Sequence, residues 1–192
     1  RYSIANLMAG NGVLLKHASN VTGSGKLLQK IYEDAGLPKH LFTTLVISHE
    51  QSDTVISNER VRGVTLTGSS EAGRMIAQKA GKVLKKTVLE LGSNDAYIVL
   101  ADADIEAAVE VCVNGRVYNN GETCIAAKRF IVVEDIYDDF RDAYVKAMSA
   151  LTTGDPTSDE FDMGPMARKD LRDDLHKQVQ DSVAKGAEIL CG

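Results

Sequence analysis

Val61-Arg62-Gly63-Val64-Thr65-Leu66-Thr67-Gly68-Ser69-Ser70-Glu71-Ala72-Gly73 decides the fold. Val61 to Thr67 is rich in β-branched residues and predicts a strand. Gly68 interrupts it, and Ala72, Met75, Ile76 and Ala80 then recur at helical spacing. A strand that turns directly into a helix is half of a parallel β-α-β unit. Such a turn aims backbone N–H groups and the positive helix end at an anion, and small residues let a phosphate approach. The segment is neither Gly-x-Gly-x-x-Gly nor a Gly-Lys-Ser/Thr P-loop. Taken alone, an ordinary N-capped helix start is the default reading.

The same alternation extends upstream and downstream. Val13-Leu14-Leu15 and Leu41 to Ile47 predict strands, separated by a helical face of Leu27, Leu28, Ile31, Tyr32 and Ala35. Gly36 and Pro38 end that helix. Thr87 to Leu91 predicts a further strand. The order implies an α/β fold, a parallel open sheet with flanking helices. Gly92-Ser93-Asn94-Asp95 is a turn cluster and marks a boundary between residues 1–92 and 93–192. Beyond it come a strand over Ala96 to Leu100 and a helix capped by Asp104, with Ile105, Ala108, Val109 and Cys112 on one side. Lys128 to Val133 predicts a strand, followed by an amphipathic helix with Phe140, Tyr144 and Met148. Gly154-Asp155-Pro156 and Gly164-Pro165 break the chain. A last helix carries Leu171, Leu175, Val179 and Val183, and Glu188 to Gly192 reads as a strand entering a turn.

Composition narrows the function classes. The 192 residues carry a net charge of -5, with lysines and arginines scattered, which disfavours nucleic acid as a partner. No apolar run reaches membrane-spanning length. Cys112, Cys124 and Cys191 are too few and too widely spaced for a disulfide framework. No Cys-x-x-Cys pair exists and the four histidines lie far apart, so no metal site is expected. A reducing cytoplasm suits this cysteine usage. Arg1-Tyr2-Ser3-Ile4 carries no start signal, and both ends read as cut from a longer chain.

Three positions stand out chemically. Asn119-Asn120-Gly121-Glu122-Thr123-Cys124 places a cysteine among small polar residues, a setting that exposes sulfur as a nucleophile requires. On those residues alone Cys124 is either a nucleophile or a bystander, whereas Cys112 lies on an apolar helical face and reads as core. Glu90 interrupts the strand Val88-Leu89-Glu90-Leu91, which means a solvated face or a functional cleft. A carboxylate in such a cleft would suit a general base. Lys16 follows the first strand at its carboxyl end, where open α/β sheets bind ligands, although a solvated lysine is the simpler reading.

Together these segments resemble the aldehyde dehydrogenase superfamily, from end to end and in the right order. Val64 to Gly73 resembles its Phe-Thr-Gly-Ser cofactor turn, with Leu66 for phenylalanine. Leu89-Glu90-Leu91-Gly92-Ser93-Asn94 resembles its Glu-Leu-Gly-Gly signature, with Ser93 for the second glycine. Gly121-Glu122-Thr123-Cys124 resembles its Gly-Gln-x-Cys signature. Leu15-Lys16-His17-Ala18-Ser19 resembles its Lys-Pro-Ala-Glu/Ser segment. Within the superfamily, Ala127-Lys128-Arg129-Phe130 and Gly164-Pro165-Met166-Ala167-Arg168 resemble the bacterial succinate-semialdehyde dehydrogenases.

The resemblance implies a Rossmann-like NAD(P)-binding domain within residues 1–92 and part of a catalytic domain within 93–192. It implies Cys124 as nucleophile and Glu90 as general base, brought together across the two domains. Lys16, Ser19, Gly68, Ser69, Gly73, Leu91 and Gly92 would contact NADP or NAD, and no metal is implied. Ser19 stands where members strict for NAD carry glutamate; a glutamate would repel a 2′-phosphate, and serine does not. The expected reaction oxidises a small aldehyde, succinate semialdehyde by branch resemblance, in a homodimer or homotetramer of the parent enzyme. Glu122 adds a negative charge beside the nucleophile, which would slow its attack, and Ala126 rules out a disulfide two residues after Cys124. A CoA-acylating relative is disfavoured by Glu90, because those enzymes replace water with CoA. A nucleotide-binding piece without turnover stays open, since the upstream oxyanion asparagine and the downstream ribose glutamate of the family lie outside this chain.

Overall fold

The computed structural model describes residues 2–192; Arg1 lies outside them. The chain divides into two compact units, Arg1–Gly92 and Ser93–Gly192.

In the first unit, helix α1 (Tyr2–Met8) leads to strand β1 (Val13–Lys16), helix α2 (Thr22–Asp34) and strand β2 (Phe42–Leu45). Helix α3 (His49–Ser57), strand β3 (Gly63–Thr67), helix α4 (Ser70–Lys82) and strand β4 (Lys86–Glu90) follow. The α/β class and its parallel pairing are as expected from the alternation. The sheet, however, is not continuous. β1 pairs with β2, and β3 with β4, as two separate parallel ribbons among the described residues. Each ribbon is covered by its crossover helix: α2 lies on β2, and α4 lies on β3 and β4. Tyr32 and Phe42, with ring centroids 4.8 Å apart, anchor the first; Phe42, Ile56 and Ala80 are buried.

Two helices here were not foreseen. α3 has few apolar residues, but Ser48 forms a capping box with Gln51, each side chain hydrogen-bonded to the other's backbone N–H. That Ser-x-x-Gln spacing is legible in sequence and stabilises the helix start by about 1 kcal/mol. α1 is only seven residues long and buries none of them, and its apolar positions, Ile4, Leu7 and Met8, span little more than one turn.

The second unit contains strand β5 (Ala96–Val99), helix α5 (Ile105–Val117), strand β6 (Arg129–Val132), helix α6 (Tyr137–Ser149) and helix α7 (Lys169–Val183). β5 and β6 pair in parallel, Ala96 opposite Arg129 and Val99 opposite Val132. Asp104 caps α5 by accepting from the Ala107 N–H at 3.0 Å. The core is one cluster of Val99, Val109, Cys112, Val113 and Phe140, flanked by the rings of Tyr97, Phe130 and Tyr144. Burial pushes the Cys112 thiol above its usual range and the Tyr144 phenol up to about 12, with Cys112 adding to the effect.

The expected terminal strand is not formed. Glu188 to Gly192 has no ladder partner among the described residues, and a strand exists only by pairing. Cys191 is therefore exposed rather than set in a sheet. The apolar stripe of α7, led by Leu171 and Leu175, likewise stays exposed.

Candidate active site

At the carboxyl end of the β3–β4 ribbon, Thr67 stands opposite Glu90. The Gly68 N–H then donates to the Glu90 carbonyl at 3.0 Å, extending the ladder one step into the turn. Ser69 ends the extended backbone, and its hydroxyl accepts from the Ala72 N–H at 3.2 Å. Its side chain is thus the N-cap of α4. Capping takes one donor and leaves the other first-turn N–H groups, at the positive helix end, facing the turn. Glu71 in the first turn and Lys79 and Lys82 in the last complement the helix dipole.

Gly73 is buried directly against Leu91. A Cβ at Gly73 would lie 2.7 Å from Leu91 Cδ2 and 2.8 Å from Cδ1. The bare glycine lets α4 settle onto the residue that follows Glu90. Glu90 itself is exposed, as is Gly92. The structure therefore gathers Gly68, Ser69, Gly73, Glu90, Leu91 and Gly92 around one strand end.

Lys16 and Ser19 belong to the other ribbon. Lys16 closes β1 opposite Leu45, and its ammonium donates to the His17 carbonyl at 3.2 Å. Ser19 opens a 3₁₀ turn, Ser19–Val21, that leads into α2. His17, which carries no pattern in the sequence, shapes this corner. Its Nδ1 donates to the Ala18 carbonyl at 2.8 Å, and its buried Nε2 has no hydrogen-bond partner among the described residues. A Cβ at Gly25 would come within 3.0 Å of the same ring. The glycine on α2 is what accommodates the imidazole.

In the second unit the chain leaves α5 through three successive left-handed residues: Asn119 (φ 53°), Asn120 (φ 58°) and Gly121 (φ 70°). Asparagine and glycine are the residues that tolerate this region. The reversal lifts Glu122 to Cys124 into a turn. Cys124 is exposed, while Cys112 is buried. The loop is pinned on several sides. The Gly164 N–H donates to Asn120 Oδ1 at 3.0 Å, and Thr123 Oγ1 donates to the Tyr118 carbonyl at 3.2 Å. Lys128 Nζ donates to the carbonyls of Cys124 (2.8 Å) and Ala126 (2.9 Å). Gly164 is reached by a closed segment in which Asp162 accepts from both the N–H and the hydroxyl of Thr152, at 2.8 and 2.9 Å. Those bonds hold the Asp162 carboxyl below the usual carboxylate range. Among the described residues, no group of three or more His, Cys, Asp or Glu side chains is placed to hold a metal ion.

The model of the aldehyde dehydrogenase family matches residues 2–192, all of the chain described above. The chain belongs to the aldehyde dehydrogenase family. It is 48% identical over 192 residues to an NADP(+) succinate-semialdehyde dehydrogenase of Mycobacterium tuberculosis, covering all of this chain and 42% of that protein. It is 47% identical, over the same spans, to an NAD(P)+ succinate semialdehyde dehydrogenase of Escherichia coli. In three dimensions it is similar to the succinic semialdehyde dehydrogenase of Streptococcus pyogenes solved with NADP+. The TM-score is 0.95 at 38% identity, over 99% of this chain and 42% of the other. This aldehyde dehydrogenase chain thus spans well under half the length of the relatives it matches. It keeps the family's fold despite Leu66, Ser93 and Glu122 within the signature segments.

Proposed function

We propose that the whole protein oxidises an aldehyde to a carboxylic acid with hydride transfer to NADP or NAD, and that its substrate is succinate semialdehyde. The observation that carries this reading is the pinned loop of left-handed residues that presents Cys124, in a chain nearly half identical to succinate-semialdehyde dehydrogenases.

The residues fit a dinucleotide. The Gly68–Ser69 turn offers a helix start of thirteen residues, and the bare Gly73 leaves α4 close to its strand. Lys16 and Ser19 supply a cation and a hydroxyl for the adenosine ribose and a 2′-phosphate. The nicotinamide, when bound, accepts the hydride. The rest is the chain's own chemistry. Cys124 Sγ attacks the aldehyde carbonyl carbon, and the backbone N–H of Cys124 donates to the oxyanion that forms. Loss of hydride leaves a thioester on Cys124. Glu90 takes a proton from water, whose oxygen attacks the thioester, and the carbon–sulfur bond breaks to release acid and thiolate. We propose homodimers or homotetramers, in the cytoplasm, with neither nucleic acid nor membrane as partner. No helix among the described residues is long and apolar enough to cross a membrane.

The test is a panel of aldehydes with the purified whole protein and either cofactor. Succinate semialdehyde should give the highest kcat/KM. Equal rates with acetaldehyde would overturn the substrate, and no reduction of either cofactor would overturn the activity. A second reading applies to the 192-residue chain alone. Because it spans only 42% of its relatives, we propose that the isolated piece is inactive; NADP reduction by the pure piece would refute that.

A further inference from the structure

We infer that Arg116 is a positioning residue for the nucleophile, its guanidinium acting as a fork that holds both arms of the Cys124 loop. This rests on the reading of Cys124 as the nucleophile. Arg116 lies in the last turn of α5 and is half-buried. Its Nη1 donates to the Ala127 carbonyl at 2.7 Å, and its Nη2 donates to the Gly121 carbonyl. Those two acceptors stand three residues after and three residues before Cys124. One planar group therefore fixes the span of the segment that carries the sulfur.

The surroundings fit a device for the loop rather than a general surface contact. Among the described residues Arg116 forms no ion pair, although eight such contacts occur elsewhere. Its donors are directed to carbonyls. A Cβ at Gly121 would lie 2.9 Å from Arg116 Nη2 and 3.0 Å from the Arg116 carbonyl, so the guanidinium occupies the space a side chain there would need. The Ala127 N–H donates to the Gly115 carbonyl at 3.0 Å, which ties the downstream arm to the helix that bears Arg116. The upstream arm carries left-handed Asn119 and Asn120, conformations that persist only when the surroundings over-determine them. Lys128 holds the middle of the loop from its own carbonyls but reaches neither Gly121 nor Ala127. A lysine at 116 would carry charge without the fixed fork.

The test uses the full-length enzyme and its R116A and R116K variants. Four quantities are read: kcat, KM for aldehyde, KM for cofactor, and the rate of Cys124 alkylation by iodoacetamide at fixed pH. R116A should lose about 10- to 100-fold in kcat, the cost of a nucleophile displaced by an ångström, with both KM values within about twofold. Its alkylation rate should change at least about fivefold, R116K should be intermediate, and added guanidinium should restore part of the R116A kcat. A variant unchanged in kcat and alkylation overturns the inference. So does a loss shared by kcat and both KM values that guanidinium does not relieve. If R116A fails to fold, R116Q is judged by the same criteria. If the wild-type protein oxidises no aldehyde yet alkylation still depends on Arg116, the functional reading fails and the positioning role stands.

Discussion

The Gly68 N–H donates to the Glu90 carbonyl at 3.0 Å, and Thr67 faces Glu90 in the ladder just before it. The turn proposed to hold the cofactor and the residue proposed to activate water thus share one backbone bond. Replacing Gly68 with proline removes the donor. We expect G68P to weaken cofactor binding and to slow thioester hydrolysis together, read as a raised cofactor Kd and a lowered kcat in the same variant. A change in one without the other would show that the turn and Glu90 are independent.

Gly73 and Leu91 should be energetically coupled. G73A forces a methyl into space held by Leu91 Cδ atoms and should cost about 1–3 kcal/mol. L91A vacates that space, so the double variant should be more stable than the sum of the single losses. Thermal unfolding of all four proteins gives the cycle directly. Additive losses would mean that α4 shifts rather than clashes.

Chemistry should separate Cys124 from Glu90. C124S should abolish aldehyde oxidation. E90Q should retain a burst of reduced cofactor, up to one per active site, with steady-state kcat lowered by roughly 10²- to 10⁴-fold. Stopped-flow absorbance of the reduced cofactor distinguishes the two. An E90Q variant with neither burst nor turnover would place Glu90 before hydride transfer instead.

Cofactor choice should turn on Ser19. S19E places a carboxylate where a 2′-phosphate is proposed to lie, so kcat/KM for NADP should fall about tenfold or more while that for NAD holds. A wild-type preference for NAD of roughly a hundredfold would contradict the assignment.

Leu84 offers a stability test. It follows α4 at φ 54° and is 94% exposed, so it contributes strain and little packing. Its N–H donates to the Gly81 carbonyl and the Lys85 N–H to Ala80, the helix-ending arrangement that favours glycine. L84G should stabilise the protein by about 1 kcal/mol, raising the thermal midpoint by about 2–4 °C.

Alkaline pH should destabilise the second unit through Tyr144. Its pKa in the folded protein is raised to about 12, chiefly by burial. The neutral phenol is therefore favoured by folding. That stability is present below the ordinary value near pH 10 and is lost as pH rises through about 12. Y144F should remove this component, seen as a flatter dependence of the denaturation midpoint on pH across that window. An unchanged slope would show that Tyr144 titrates like a free tyrosine.

The ordering of strands and helices was legible because each amphipathic segment repeats at 2 or 3.6 residues, as at Val64–Thr67 and Phe140–Tyr144–Met148. Pairing was not, because alternation says which residues face inward and not which strand lies beside which; hence the single open sheet expected and the separate ribbons found. In α1 the helical spacing of Ile4, Leu7 and Met8 is too short a run to stand out, and polar α3 lacked a periodic signal, although Ser48 and Gln51 carried a local one. Among site residues, Cys124 stood out by its polar neighbours, and the Gly68 turn by its break from strand to helix. Arg116 and His17 were silent. An arginine directed to carbonyls and a histidine wedged against Gly25 are defined by atoms distant in sequence, and no spacing rule announces them.

The left-handed run from Asn119 to Gly121 also bears on how this protein tolerates change. Three adjacent positions each demand a backbone conformation that few amino acids accept, so the genetic alphabet there shrinks to glycine, asparagine and aspartate. Saturation mutagenesis under selection for activity should return those letters at 119–121 and a far wider set at exposed Glu122. The segment would then read as invariant for reasons of geometry, even though neither of its two asparagine side chains need ever touch the substrate.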